Sequence, residues 1–415
     1  MNKLLVFSYL LFFSQHLNAQ RFEEHFENRT LRLDYTFAGD NTQSSIYVDE
    51  LVSLPHWYGK RHHLNEVPLR GNGQIIMRSH KKDEVIYRHS FSTLFQEWMT
   101  TEEAKHTKKS FENIFLVPFP KDTVEITVEL YDYHDKTAVS MTHTIIPTDI
   151  LIRKTGEHDI TPYDVLHQTA DTSRCIRIAF VAEGYTADEM DKYLNDCQLA
   201  ISSLFRHEPF KSLQDRFNII ALKSVSEESG TSEPSKAIWK QTALGSHFDT
   251  FYSDRYLTTL HLKQLHNLLA GTPYEHIIIL VNTEHYGGGG IFNSYNLSYT
   301  GGKHFLPVVV HEFGHSFGGL GDEYAYGDDD PMYFSDTEPW EPNLTTQCRF
   351  IGKWEDLVKE GKARLIEGGG YLTHGVWRGY ENCRMRTNEE PEFCLVCRRA
   401  LTRLIDFYTQ PIPNE

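Results

Sequence analysis

The chain has 415 residues, 40% of them hydrophobic and 24% charged, which is enough for two folded domains and too apolar for a disordered chain. A formal net charge of −16, spread along the length, makes phosphate backbones and anionic membranes poor partners, so neither nucleic-acid binding nor membrane insertion is expected. The acidic balance says little about substrate, because it also serves solubility.

Residues 1–19 read as an export signal, with Lys3 in a short basic start, an apolar run from Leu4 to Phe13, and the small residue Ala19 before Gln20. The run is too short to span a bilayer, and no cysteine precedes Cys175 to carry a lipid anchor. Cleavage after Ala19 is expected to release a soluble protein to the periplasm, the cell surface or the medium. Three Asn-x-Ser/Thr sequons begin at Asn28, Asn296 and Asn343 and matter only in a host that glycosylates them.

Residues 20–147 alternate with a period of two, as in Leu31, Leu33, Tyr35 and Phe37, and in Val124, Ile126, Val128 and Leu130. Turn clusters at Gly39-Asp40-Asn41 and Gly71-Asn72-Gly73 separate the runs, which predicts an antiparallel β-sandwich serving as an accessory domain. From 148 to 415 the rhythm becomes that of an α/β unit. Strands are expected at Ile176 to Val181, Phe217 to Val225 and Ile277 to Val281, with helices from about Ala187 to Phe205 and Thr250 to Leu269. The stretch Ser226 to Ser235 reads as a polar surface loop.

The strongest chemical signal lies in Phe305-Leu-Pro-Val-Val-Val-His311-Glu312-Phe-Gly-His315. Pro307 fits the first turn of a helix, where its missing N–H costs nothing. On such a helix His311 and His315, four residues apart, present their imidazoles to one point, as a tetrahedral zinc ion requires. Glu312 is adjacent to the first ligand without being one, the place for a general base that takes a proton from water and passes it to a leaving amine. Gly318, Gly319 and Gly321 let the chain turn back toward the metal. The compact pattern HExxHxxGxxH/D puts its third ligand at position 321, a glycine here, and the acids come one residue late. Asp322 is the first choice, being nearest to that register, and Glu323 the fallback. The alternative role for one or both acids is to cap the next turn or to orient a histidine.

The string His311-Glu-Phe-Gly-His-Ser-Phe-Gly-Gly-Leu-Gly-Asp-Glu-Tyr324 resembles the signature of the peptidase M64 family, the igalysins. Phe180-Val-Ala-Glu-Gly-Tyr-Thr-Ala-Asp-Glu-Met190 is similar to the opening of their catalytic domain. Asn382-Cys-Arg-Met385 with Pro391-Glu-Phe-Cys-Leu-Val-Cys-Arg398 is similar to their closing segment. The resemblance spans the chain after the export signal. It implies a metzincin-like zinc-peptidase domain behind the strand-rich front, with His311, His315 and Asp322 as ligands, Glu312 as base and Met385 as the turn residue beneath the metal. It does not imply cleavage of IgA, because the founding protease carries further modules.

Other features are weaker. Tyr324 and Tyr380 are candidates to donate a hydrogen bond to an oxyanion. The run Ile277 to Val281 followed by Gly287 to Gly290 reads either as a strand and loop that approach an extended peptide or as a mobile surface loop. Asp328, Asp329 and Asp330 lack calcium-loop spacing. No phosphate-binding loop and no serine elbow occur. Six cysteines, Cys175, Cys197, Cys348, Cys383, Cys394 and Cys397, favour structural disulfides over a metal knuckle in an exported chain, because a single CxxC lacks a second pair. The combined expectation is an exported, zinc-dependent endopeptidase acting on a protein or peptide. The alternatives are a secreted binding or adhesion protein with a structural zinc, and a zinc amidase for non-peptide substrates.

Overall fold

The computed structural model describes residues 21–410 apart from 173, 328–331, 348–349 and 351. The export segment, Asp328 to Asp330 and Cys348 therefore lie outside the described residues.

The alternating front region folds as two four-stranded sheets. One runs Lys109–Pro120, Phe26–Gly39, Ser44–Leu54, Arg153–Lys154; the other runs Val85–Phe91, Gly73–Ser79, Val124–Tyr131, Thr137–Ile145. Leu31, Leu33, Tyr35 and Phe37 from the first share one core with Ile75, Met77, Ile126 and Val128 from the second, as period-two alternation with one wet face demands. Gly71, at φ +65°, sits where an added side chain would meet the Phe91 backbone at 2.5 Å, so that turn requires glycine. Arg153–Lys154 pairs with Val52 and Ser53, which carries the sandwich past residue 147.

Behind it lies a six-stranded sheet in the order Gly288–Ile291, Tyr295–Tyr299, His276–Val281, Ile176–Glu183, Phe217–Leu222, Tyr163–His167. Its four central strands are parallel and its two edge strands antiparallel. Both faces are covered, which explains why the central strands read as nearly unbroken apolar runs. Ile176, Ile178, Phe180 and Ala182 pack against the helices Met190–Leu204, Phe305–Ser316 and Leu395–Thr409. Ala179, Val181, Ile277 and Ile279 face the other way, into a core continuous with the sandwich and bridged by Leu262 and Leu265.

The helix expected from Thr250 to Leu269 is confined to Leu262–Leu268, preceded by one 3-10 turn at Thr250–Tyr252. Phe251 and Tyr252 take positive φ, and the chain then crosses to the sheet edge, where the Leu257 N–H donates to the Gly288 carbonyl at 3.1 Å. Tertiary pairing overrides the helical pattern. The stretch Ser226 to Ser235 is also more than a surface loop: Ser226, Thr231 and Ser232 are buried, and Ser226 Oγ accepts from the Gly184 N–H at 2.9 Å. Two sequon asparagines, Asn296 and Asn343, are fully buried and out of reach of a glycosylating enzyme in the folded chain.

Candidate metal centre and active-site cleft

The helix Phe305–Ser316 carries Pro307 in its first turn and buries Val308, Val309, Val310 and Phe313, leaving His311, Glu312 and His315 along a cleft. Past Ser316 the chain reverses, with Gly319 at φ +58° and the Leu320 N–H bonded to the Gly314 carbonyl. The Asn343 side chain clamps the next segment. Its Oδ1 accepts from the Gly321 N–H and its Nδ2 donates to the Gly321 carbonyl, both at 2.8 Å.

This reversal brings Asp322 to the histidine pair. Asp322 Oδ1 lies 3.1 Å from His311 Nε2 and 3.3 Å from His315 Nε2, and the two Nε2 atoms are 3.0 Å apart. Glu323 points elsewhere, with its Oε1 toward Asn343 and Cys397. The other imidazole nitrogens are engaged by backbone, His311 Nδ1 donating to the Arg384 carbonyl at 3.0 Å and His315 Nδ1 to the Leu320 carbonyl at 2.6 Å. That assignment turns both Nε2 lone pairs toward Asp322, so positive charge among the three atoms is required, either a proton or a metal ion. Burial opposes charge on His315, but the Asp322 and Glu312 carboxylates outweigh it and raise its pKa to about 9. Burial likewise disfavours ionised Asp322, yet His315 and His311 hold its carboxyl far below the ordinary range. Spacings of 3.0 to 3.3 Å approach the edge of about 3.3 Å of a tetrahedron with metal–nitrogen bonds of about 2.0–2.1 Å. The donor set fits a divalent cation such as zinc.

Glu312 lies beside the edge strand Gly288–Ile291, where a methyl group on Gly288 would stand 2.5 Å from Glu312 Oε1. Burial raises the Glu312 carboxyl, with His311 and His315 pulling it down. Met385 is fully buried under the same helix, its sulfur 2.6 Å from where a Gly314 side chain would begin. The glycine segment after Val281 is thus an ordered edge strand, and the Gly288 carbonyl is already bonded to Leu257 on its outer side.

The cleft has a volume of about 730 Å³, and both domains line it. Glu97, Asn72 and Tyr131 come from the sandwich. Glu97 accepts a hydrogen bond from the Tyr256 hydroxyl, and burial lifts its carboxyl to about 7. Tyr324 lies in the cleft, where burial and the neighbouring Asp322 carboxylate push its phenol up, whereas Tyr380 is outside it, its hydroxyl donating to the Lys362 carbonyl. Sequence reasoning missed Tyr371, whose hydroxyl donates to Asp322 Oδ2 at 2.6 Å, along with Glu97 and Asn343. No local motif marks them, because each arrives from a distant segment.

The disulfide expectation is overturned among the described residues: Cys175, Cys197, Cys383, Cys394 and Cys397 are all unbonded and buried. The Cys383 and Cys397 sulfurs are 3.7 Å apart, well beyond the bonding distance of about 2.05 Å.

Both domains match models of one group of peptidases. Residues 21–142, most of the sandwich, match the peptidase M64 N-terminus, and residues 165–366 match IgA peptidase M64. Together these matches cover most of the chain, which belongs to the peptidase M64 family. No curated protein matches it.

Proposed function

We propose that the protein is an exported zinc-dependent endopeptidase, with His311, His315 and Asp322 holding the metal and Glu312 acting as general base. The observation that carries this reading is the convergence of His311 Nε2, His315 Nε2 and Asp322 Oδ1 beside a second carboxylate, that of Glu312, in an open cleft. Two imidazoles and one carboxylate with an open position are the donors of catalytic zinc sites. A cation bound there polarises a scissile carbonyl and acidifies water.

The chain's own groups supply the rest. Glu312, its pKa raised by burial, accepts the proton of the attacking water and delivers it to the departing amine. The Nδ1 contacts to Arg384 and Leu320 fix both imidazole orientations, and Tyr371 fixes the Asp322 carboxylate. Tyr324, alongside Asp322, is the candidate donor to a developing oxyanion. Cleft walls drawn from both domains suit a polypeptide with residues on either side of the cut.

A binding protein with a structural ion has no need of Glu312 in an open cleft, and a non-peptide amidase is separated from the present reading by substrate screening. Export rests on Lys3, the Leu4 to Phe13 run and Ala19, and N-terminal sequencing of secreted protein is expected to begin at Gln20. No helix among the described residues is long and apolar enough to cross a membrane.

The deciding experiment pairs Glu312→Ala with metal analysis and a diverse peptide library. The variant is expected to retain one metal equivalent in the His–His–Asp site and to lose turnover by at least about a hundredfold, the scale of general-base contributions. Wild-type turnover in that variant, or a wild type indifferent to chelation, would overturn the proposal.

A further inference from the structure

The residues left over by the first centre form a second cluster on the far side of the same loop. Cys383, Cys394, Cys397 and Glu323 are buried, and their ligand atoms all lie within 4.8 Å of one another. Cys394 caps the helix Leu395–Thr409 and Cys397 sits in its first turn, while Cys383 lies two residues before Met385. Glu323 directly follows Asp322, and its N–H donates to the Met385 carbonyl at 2.9 Å.

We propose that these four side chains bind a second divalent metal ion, most suitably zinc, which anchors the loop bearing Asp322 to the Met385 turn and to the start of the last helix. Three observations carry it. The Cys383–Cys397 separation of 3.7 Å is nearly the tetrahedral edge of about 3.8 Å set by metal–sulfur bonds of about 2.3 Å, and the Glu323 Oε1 to Cys397 Sγ distance is 3.2 Å. Glu323 Oε2 is fully buried with no hydrogen-bond partner, an expensive arrangement that a coordinated ion relieves. The Cys394 N–H donates to Cys383 Sγ at 3.2 Å, the kind of contact that stabilises a thiolate over a thiol. Three thiolates and a carboxylate around a divalent ion leave surplus negative charge. Buried Arg384 beside Cys383, Arg378 near Glu323, and the helix N-terminus at Cys394 offset it. Thiolate-rich four-coordinate sites with no open position are structural, so this ion does no chemistry on substrate.

The test separates the two centres by mutating one at a time. Wild-type protein purified without chelator is expected to hold two metal equivalents per chain. A His311→Ala/His315→Ala variant should hold one, and its cobalt-substituted form should show intense thiolate-to-cobalt charge-transfer absorption. Glu323→Gln, which keeps the volume, should retain the thiolate band but bind cobalt at least about tenfold more weakly in chelator competition. Cys394→Ser/Cys397→Ser should lose one equivalent. If that variant does not fold, the cobalt spectrum of the histidine variant decides alone. A disulfide among Cys383, Cys394 and Cys397 in peptide maps of unreduced protein, or a histidine variant with no metal and no thiolate band, overturns the second site. A cobalt-substituted wild type that keeps peptidase activity but shows no thiolate band would overturn it while leaving the catalytic reading standing.

Discussion

At the scale of single residues, two hydroxyl–carboxylate contacts control the cleft. Tyr371 donates to Asp322 Oδ2, so Tyr371→Phe leaves that oxygen without its partner and lets the carboxylate rotate away from the histidines. Loss of such an orienting group typically weakens metal binding about 10- to 100-fold, which chelator competition would detect. Glu97 makes a different prediction. Its pKa is raised by burial to about 7 from the ordinary 4.5, so as pH rises through about 4.5 the unfolded chain gives up its proton first and folding becomes less favourable until about pH 7. The full shift is worth about 3 kcal/mol. Glu97→Gln keeps an acceptor for Tyr256 and removes that cost. Relative to wild type it is expected to gain about 2 kcal/mol in urea unfolding between about pH 5 and about pH 8, and a pH-independent difference would show that Glu97 does not titrate this way.

At the scale of elements, the edge strand Gly288–Ile291 and the helix Phe305–Ser316 approach so closely that the Glu312 carboxylate occupies the space of a Gly288 side chain. Gly288→Ala should therefore displace Glu312 while sparing both histidines. The expected result is a fall in kcat of about tenfold or more with metal content unchanged; equal loss of metal would mean that the helix itself had moved. The helix, its apolar approach and the glycine reversal were legible in the sequence because they lie within one turn-spaced run. So were the sandwich strands, whose alternation has a single wet face. The Thr250 to Leu269 segment misled because its apolar spacing serves a strand-edge crossing at Leu257 as well as a helix. The cysteines misled for a related reason: Cys383 and Glu323 join Cys394 and Cys397 only through folding, so the sequence displayed one CxxC without its partners. Tyr371 lies 49 residues from Asp322, and nothing near it signals the contact.

At the scale of the molecule, the front sandwich is both a wall of the cleft and half of a shared core. Leu33, Ile75 and Val128 of the sandwich belong to the same apolar cluster as Val181, Ile279 and Leu297 of the central sheet. The junction also contains a buried ion pair, Arg32 with Asp34, both side chains fully inaccessible, and Arg32 Nη1 reaches across to Asn267 Oδ1 at 2.9 Å. Removing one member strands the other: Asp34→Ala leaves a buried guanidinium without its counter-charge, at a cost of about 3–5 kcal/mol. Replacing both residues together with apolar side chains of similar volume should cost far less, because the desolvation penalty disappears with the charges. Since the core runs through the junction, Asp34→Ala should lower one common unfolding midpoint, read alike by far-ultraviolet dichroism, tryptophan fluorescence and loss of peptidase activity. Two separated transitions, with only the sandwich destabilised, would instead mean that the domains fold independently and that the wall of the cleft can detach without disturbing its floor.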